Sequence, residues 1–494
     1  MSRNSKNSYS HILKYTGLFG GIQFLNLLIA LVRNKFVALI LGPLGMGLIS
    51  LFNSTINLVS NTTNLGISMS AVKNIAESYE SKNQSDILNT ISMIRSWSII
   101  TALAGTILCI IASPLLNAFT FTWGDHTLHF VCLSPIVALL AITGGETAIL
   151  KGTGHLNALA KISIINVIIA LITSVPIYYI FGESGIIPSL IIISLAQMLL
   201  TIRISYKLYP LNISMKKETL QQGYYMVRLG SAFVVAGIFG SGADFVIRSF
   251  LNTTSSLDTV GLYNAGYMMT MVYAGMVFTA METDFFPRLS AVNHDVKKRN
   301  IIINRQIEVS LLLLSPMLVA FIISLPLLLP LLYSNKFLPI INMMRITIIA
   351  MYFRTIKLPI AYLTLARGDS KAYLFLEAAY DTIVIILTII GFTNYGLIGS
   401  GCAITATCMI DVCIIMLFTY RKYRYVVSLP VIKYFLIQFP IGLIATLTLF
   451  INNSFAYWTV GIILTGTSTF ISIKILQGKT SLWNKLMSKI KSTN

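Results

Sequence analysis

Charged residues are scarce in this sequence, and acidic residues are the scarcest of all. Only 11% of the 494 residues are charged, and 17 acidic residues stand against 36 basic ones. Soluble domains carry about 25% charged residues, so the composition argues against a soluble fold. The chain is 55% hydrophobic, with a mean hydropathy of +0.77. Its repeated apolar stretches of 18 or more residues predict transmembrane helices.

Cysteine and histidine, with five residues each, form no ligand pattern. The cysteines lie in or beside apolar segments without a C-x-x-C pair, as is typical of small packing residues. The histidines show no H-E-x-x-H or similar spacing. We therefore expect no metal site and no cofactor.

Fourteen apolar segments follow one another along the chain. They lie at about 12–41, 47–71, 92–116, 128–150, 157–181, 185–207, 223–251, 258–288, 301–332, 338–366, 371–393, 396–420, 430–451 and 455–477. If the N-terminus is cytoplasmic, 29 of the 36 Lys and Arg fall at or near cytoplasmic connections, and the outer connections hold only Lys336. This bias predicts cytoplasmic N- and C-termini, and it explains the net charge of +19 without a nucleic-acid partner.

The first twelve segments contain an internal repeat with an offset near 214 residues. GLISLFN at Gly47 resembles GLYNAGY at Gly261, and LKGTGHLNA resembles LARGDSKA. An offset kept over six helices indicates a parallel duplication about an axis along the membrane normal. We predict an all-α polytopic membrane protein with about 14 transmembrane helices. Two six-helix bundles, residues 1–210 and 211–425, surround a central cavity, and residues 426–494 add two helices and a basic cytoplasmic tail.

Six basic residues fall inside the predicted segments and away from their cytoplasmic ends, where a central Lys or Arg costs roughly 2.5–3.5 kcal/mol. They are Arg33, Lys35, Arg248, Arg345, Arg354 and Lys357. In LIALVRNKFVALILGP, Arg33 shares a helical stripe with Tyr15 and nearly with Asn26. Lys35 lies about 200° away, among apolar residues. The polar stripe favours a wall that faces water. The alternative is that both cations extend to the outer interface.

Two later segments also carry paired charges. Asp244 and Arg248 are one helical turn apart; they form either a local ion pair or, as we favour, a pair that faces the cleft. Arg354 and Lys357 share a face far from the outer end of their segment. This cluster is the hardest to explain by contact with the interface.

Acidic residues are unevenly placed among the segments. Glu377 and Asp381 share a helix face and are candidate counter-charges for Arg354 and Lys357, while Glu146, Glu282 and Asp411 are the other deep acids. The first helix has cations and no acid. An exporter of cationic drugs needs buried carboxylates, whereas a carrier of an anionic headgroup needs Arg and Lys. The sequence therefore favours transport of a large anionic amphiphile.

Five motifs, taken in order, carry a resemblance to a known family. They are GPLGMG after the first helix, LKGTG at Leu150–Gly154, VGLYNAG at Val260–Gly266, DFFPRLS at Asp284–Ser290 and SNKF at Ser334–Phe337. Together they resemble the bacterial O-antigen and lipid-linked oligosaccharide flippases of the multidrug/oligosaccharidyl-lipid/polysaccharide exporter (MOP) superfamily. The resemblance implies a flippase that moves undecaprenyl-diphosphate-linked oligosaccharide from the cytoplasmic to the periplasmic leaflet of the bacterial inner membrane.

The resemblance also assigns roles to individual residues. Lys35, Lys151, Arg248, Lys357 and Glu377 stand where similar proteins carry the same kind of charge. We expect the substrate's diphosphate to bind cations of the cavity, namely Arg33, Lys35, Arg248, Arg354, Lys357 and Lys151. Coupling or counter-charge roles are expected for Asp244, Glu282, Glu377 and Asp381. Membrane lipids, a glycan polymerase and its chain-length machinery are the expected partners, with no nucleic acid among them.

Three other functions are weighed against this one. VRNK resembles the VRD-type first helix of lipid II flippases, with Asn34 where those carry an acid. The chain could therefore also be a flippase for a peptidoglycan precursor. A cation-coupled drug exporter is a further alternative. A glycan polymerase or ligase is remote, because the longest outer connection, 117–127, has only about eleven residues for acid–base chemistry. The sequence thus predicts a transporter and not an enzyme.

Overall fold

The computed structural model describes residues 25–479 apart from 81, 82, 123, 276, 277, 279–284, 287 and 293. Within that part of the chain the residues form helices joined by short connections, and none forms a strand. The predicted all-α fold is confirmed.

The helices of the first half are α1 (25–40), α2 (Gly42–Thr63), α3 (Ile67–Glu80), α4 (Gln84–Thr120), α5 (Thr127–Gly152), α6 (Leu156–Phe181) and α7 (Ile186–Leu208). Those of the second half are α8 (Lys217–Thr254), α9 (Leu257–Tyr267), α10 (Val296–Leu332), α11 (Ile341–Ala366), α12 (Ser370–Tyr423), α13 (Leu429–Leu447) and α14 (Ser454–Lys479). A π-helical stretch, Met268–Tyr273, continues α9. The helix α12 consists of two helices that meet at Tyr395 and Gly396.

Most of these helices are suited to cross a membrane. Over the described residues, nine stretches are long and apolar enough to do so. Two of them, Leu156–Leu208 and Ser370–Tyr423, have 53 and 54 residues and are hairpins that turn at Gly182 and Gly396. Since a single crossing takes about 20 residues, each hairpin crosses twice. Helices satisfy every backbone polar group internally, as a bilayer requires, and the chain is a multi-pass membrane protein.

The backbone repeats its turns at the offset seen in the sequence. Gly154 and Gly368, 214 positions apart, both have positive φ, at 74° and 65°. Gly182 has φ 56° and ψ −135°, and Gly396, again 214 positions later, has φ 57° and ψ −139°. Helix lengths repeat too, with 37 residues in both α4 and α10 and 26 in both α5 and α11. The duplication is therefore present in the backbone.

Packing divides the chain into two compact units. The first unit comprises Met1–Asn264, Leu331–Lys336 and Glu377–Ile385. The second comprises Ala265–Pro330, Phe337–Leu376 and Ile386–Asn494. These units reflect contacts between helices, whereas the boundaries at 210 and 425 follow the sequence repeat, and that division stays a prediction.

The second predicted segment, 47–71, is not one helix. The helix α2 ends at Thr63, and Leu65 and Gly66 both adopt positive φ, at 51° and 71°. Two successive left-handed residues cannot continue a right-handed helix. The chain therefore bends here, before α3 begins at Ile67.

The helices α2 and α9 cross at the equivalent glycines of the repeat. A Cβ atom on Gly47 would overlap the carbonyl oxygen of Leu257, and one on Gly261 would overlap the carbonyl oxygen of Pro43. Because both obstacles are backbone atoms, neither can swing aside. The two helices approach this closely only because both positions lack a side chain.

We expect Gly261→Ala to destabilise the protein by about 1–3 kcal/mol, the usual cost of overpacking. Thermal unfolding of the detergent-purified protein measures the change. Gly144→Ala in α5 is the matched control, because no heavy atom lies within 4 Å of its added Cβ. Equal melting temperatures for the two variants would show that the crossing tolerates a side chain.

Candidate substrate-binding site

Two polar side chains of α1 point at α6. Arg33 Nε donates to Ser174 Oγ at 3.0 Å, and Asn26 Nδ2 donates to Ser163 Oγ at 2.6 Å. Their predicted common face is therefore directed at a neighbouring helix, while Tyr15 lies outside the described residues. Arg33 is half-buried, and its serine partner is neutral, so this contact orients the guanidinium without cancelling its charge.

Arg248 occupies the crossing of α2 and α9. Its Nε donates to Ser50 Oγ at 2.8 Å and its Nη2 to Asn264 Oδ1 at 3.3 Å. Ser50 and Asn264 each lie three residues after a crossing glycine, and they are equivalent positions of the repeat, 214 apart. The close approach of the glycines thus sets two polar side chains beside each other, where both bind one guanidinium.

The predicted pairing of Asp244 with Arg248 is present. Asp244 Oδ1 lies 2.7 Å from Arg248 Nη1, and the arginine side chain is 8% exposed while that of the aspartate is 47% exposed. The ion pair is therefore buried at its cationic end and open at its anionic end. Because the carboxylate is accessible, it can exchange partners more easily than a buried acid can.

Asp381 packs against the same face of α8. Its Oδ2 lies 3.8 Å from a Cβ built on Gly240. Gly240, Asp244 and Arg248 are spaced four residues apart and share one side of the helix. Asp381 is buried, and Glu377, one turn earlier on α12, is half-buried. The structure thus brings three predicted residues, Asp244, Arg248 and Asp381, to one face of α8.

Arg354 in α11 binds the π-helical stretch after α9. Its Nη1 donates to the Met271 carbonyl oxygen at 3.1 Å. A π-helical turn departs from the regular i→i+4 pattern, and such turns often occur at functional sites. Arg354 is half-buried. Like Arg33, it is held by a neutral oxygen.

Lys357, one turn further along α11, has a carboxylate partner. Its Nζ lies 3.1 Å from Asp411 Oδ2, with side chains 12% and 4% exposed. The sequence offered Glu377 and Asp381 as counter-charges for this cluster, and the structure places Asp411 of the second α12 helix at Lys357. Counter-charge roles for Glu377 and Asp381 stay predictions.

The other predicted site residues are in different surroundings. Lys35 is half-buried in α1. Lys151 is exposed in the last turn of α5, where a cation also interacts favourably with the helix dipole. Glu282 lies outside the described residues. Substrate contact by Lys35 and Lys151, and coupling by Glu282, stay predictions.

Arg95 is a buried cation that the spacing of charges did not reveal. It forms a bidentate pair with Glu146, with Nε to Oε1 at 2.8 Å and Nη2 to Oε2 at 3.2 Å. Ser205 Oγ donates to the same carboxylate at 2.6 Å, and the Tyr206 ring centre lies 4.4 Å from the guanidinium carbon. Arg95 lies at the cytoplasmic end of the predicted segment 92–116, and only the packing of α4, α5 and α7 shows its partner.

The same part of α4 holds the connection that leaves α7. Arg95 donates to the carbonyl oxygens of Tyr209 and Pro210 at 3.0 and 2.7 Å. Ser96 Oγ donates to the Ser214 carbonyl at 2.9 Å and accepts from the Ser214 N–H at 3.1 Å. This network is fully paired with protein groups and serves structure, which separates it from Arg33 and Arg354.

The chain is similar to known proteins in both sequence and fold. A family model described as "Polysaccharide biosynthesis protein" matches residues 36–342, more than half of the chain. No curated protein sequence matches. Three solved structures illustrate the fold that the chain shares.

An inward-facing multidrug resistance MATE family transporter of the MOP superfamily superposes with a TM-score of 0.69 at 17% identity, over 80% of this chain and 94% of its own. The lipid II flippase MurJ, in an inward closed conformation, gives 0.67 at 19%, over 93% and 99%. A MOP superfamily transporter from Pyrococcus furiosus gives 0.59 at 15%, over 83% and 96%. The fold is that of MOP superfamily transporters.

We expect Glu146→Gln to cost about 3–5 kcal/mol, because it leaves the Arg95 guanidinium buried without its counter-charge. The melting temperature and yield of purified protein report the loss. Glu77→Gln is the control, since it breaks an exposed pair in which Lys73 Nζ and Glu77 Oε1 are 3.7 Å apart. Such exposed pairs contribute about 0–1 kcal/mol. A Glu146→Gln protein as stable as the control would refute the structural role.

Proposed function

Since the chain belongs to the polysaccharide biosynthesis protein family, we propose that it is a flippase for undecaprenyl-diphosphate-linked oligosaccharide. The cargo is an O-antigen unit or a similar glycan. The protein moves it by alternating access from the cytoplasmic to the periplasmic leaflet of the bacterial inner membrane. Both termini are cytoplasmic, and the distribution of Lys and Arg supports this orientation.

Two arginines with neutral partners carry the proposal. Arg33 is held by a serine hydroxyl at 3.0 Å and Arg354 by a backbone carbonyl at 3.1 Å. Across the described part of the chain, neither guanidinium is within ion-pair distance of a carboxylate. A positive charge among apolar helices is costly unless an anion or water compensates it. A diphosphate supplies that compensation, because guanidinium binds phosphate oxygens in a bidentate manner.

The cations lie at different depths along their helices. Arg33 is seven residues from the end of α1 at residue 40, about 10 Å at 1.5 Å per residue. Lys357 is nine residues, or about 14 Å, from the end of α11 at Ala366. In the proposed orientation that end is the cytoplasmic one, whereas α1 ends at the outer side. Each of these cations thus lies inside the apolar part of its own helix, where a charge needs compensation.

The polarity of the binding residues, and not the fold, indicates the cargo. The Pyrococcus furiosus transporter is described as having a binding pocket of reverse polarity that suggests a different function. One fold therefore accommodates different cargoes. In the present chain, residues 25–40 contain Arg33 and Lys35 and no acid, which disfavours a cation-coupled drug exporter.

Charge reversal at Arg354 and Lys357 tests the function. We expect Arg354→Glu with Lys357→Glu to abolish surface glycan in a deletion strain, because two repelling carboxylates replace the diphosphate's ligands. Glycan is scored on whole cells and protein amount in isolated membranes. Lys297→Glu with Lys298→Glu makes the same change of charge at two exposed residues and is expected to retain glycan. Undiminished glycan with the Arg354/Lys357 variant at normal membrane level would reject the proposal.

A lipid II-type flippase is the second candidate, because VRNK resembles the first helix of that group and its cargo has the same diphosphate. Deletion of the gene separates the two. Loss of surface glycan with normal growth supports the oligosaccharide flippase. Arrested growth with accumulation of peptidoglycan precursor supports the lipid II flippase.

A further inference from the structure

Lys357 is already neutralised before any substrate arrives. Asp411 Oδ2 lies 3.1 Å from its Nζ, and the two side chains are only 12% and 4% exposed. Asp411 is twelve residues from the end of α12 at Tyr423, about 18 Å, so the pair lies well inside the hydrophobic layer. A buried pair of this kind is stable only while both charges are matched.

A phosphorylated headgroup that binds Lys357 competes with Asp411 for the same ammonium group. If the headgroup takes over Lys357, the Asp411 carboxylate is left buried and beside a second anion. Burial and a like charge both favour the protonated form of a carboxyl group. The end state of lowest free energy therefore has phosphate on Lys357 and a proton on Asp411.

We propose that Asp411 is a protonatable counter-ion that gives up Lys357 to the substrate. On binding, a hydronium ion transfers its proton to the Asp411 carboxylate and becomes water, while a phosphate oxygen replaces that carboxylate at the Lys357 ammonium. When the substrate leaves, Asp411 releases the proton and pairs with Lys357 again. This inference rests on the proposed function and adds to it a link of one proton to each substrate bound.

The described residues of the neighbouring helices carry further charges. On α11, Arg354 lies one turn from Lys357 and donates to the Met271 carbonyl oxygen at 3.1 Å. On α10, Glu308 is buried and accepts a hydrogen bond from Ser428 at 3.4 Å. Lys433 of α13 is exposed. Asp411 is the carboxylate that the described structure places at Lys357, 3.1 Å from its Nζ.

Calorimetric titration of the purified full-length protein with farnesyl diphosphate tests the inference. Binding is measured from pH 5 to 8 in buffers of different protonation enthalpy, which gives the protons taken up per ligand. Asp411→Asn mimics the protonated carboxyl and reports the uptake by the diphosphate itself. We expect the wild type to take up as much as one proton more than this variant. As the pH rises, the affinity of the wild type for farnesyl diphosphate therefore weakens by up to about tenfold more per pH unit than that of Asp411→Asn.

Glu308→Gln is the matched control, since it removes another buried carboxylate of the same compact unit, and we expect it to behave as the wild type. Equal proton uptake by wild type and Asp411→Asn would overturn the inference. Infrared difference spectra of the wild type give a second measurement that needs no variant, and we expect a protonated carboxyl band to appear on binding. Its absence would also overturn the inference.

The two proposals fail in different ways. If the wild type binds farnesyl diphosphate without extra proton uptake, the role of Asp411 is wrong and the flippase function stands. If the wild type does not bind the diphosphate at all, both are wrong.

Discussion

The cost of placing a charge in hydrocarbon determines how each buried cation of this protein is held. Arg95 is fully paired with a bidentate carboxylate, and Arg248 has a carboxylate that is itself half-exposed. Among the described residues, the hydrogen-bond partners of Arg33 and Arg354 are neutral oxygens. An incompletely compensated cation gains more from an anionic ligand than one whose carboxylate is already in place.

Duplication explains how one of these cations is held. Because the repeat places a glycine at both 47 and 261, α2 and α9 approach until their backbones touch. The residues one turn later, Ser50 and Asn264, then lie beside each other and bind the Arg248 guanidinium together. A repeat that began as two copies of one segment thus yields a site with non-identical ligands. The copies supply equivalent positions, and divergence supplies different side chains.

The sequence was a good guide to the fold because transmembrane helices are specified locally. Apolar length predicts each crossing, and the offset of 214 is visible in short motifs and recurs in the backbone of Gly182 and Gly396. The break at Leu65 and Gly66 escaped prediction, because it interrupts an otherwise apolar run. Hydropathy averages over such a run and does not detect two left-handed residues.

Partners across helices were much harder to predict. Periodicity placed Asn26 and Arg33 near one stripe, and both do contact one helix, but nothing in the spacing named Ser163 and Ser174 as their partners. Asp411 was recognised as a deep acid, yet its pairing with Lys357 depends on how α11 and α12 are rotated about their axes. Rotation is set by the packing of whole helices, which a single sequence does not encode in any short pattern.

The ends of α7 and α12 show which requirement the duplication preserves. Arg95 donates to the carbonyl oxygens of Tyr209 and Pro210, and Arg299 donates to the carbonyl oxygen of Tyr423. Tyr209 and Tyr423 are 214 positions apart, but the two arginines are separated by 204 and are not equivalent in the repeat.

The end of α12 carries an additional ion pair, between Lys422 and Asp369. The Lys422 ammonium and the Tyr423 hydroxyl both bind the Asp369 carboxylate and lower its pKa to about 2. Both halves therefore require a donor for the last carbonyls of a helix, but non-equivalent residues supply it. The last carbonyls of a helix have no partner within the helix, and a cation is favoured at that end. Each half satisfies this with an arginine from a different register, so the buried Arg95 and Arg299 are explained by the backbone carbonyls that they bind.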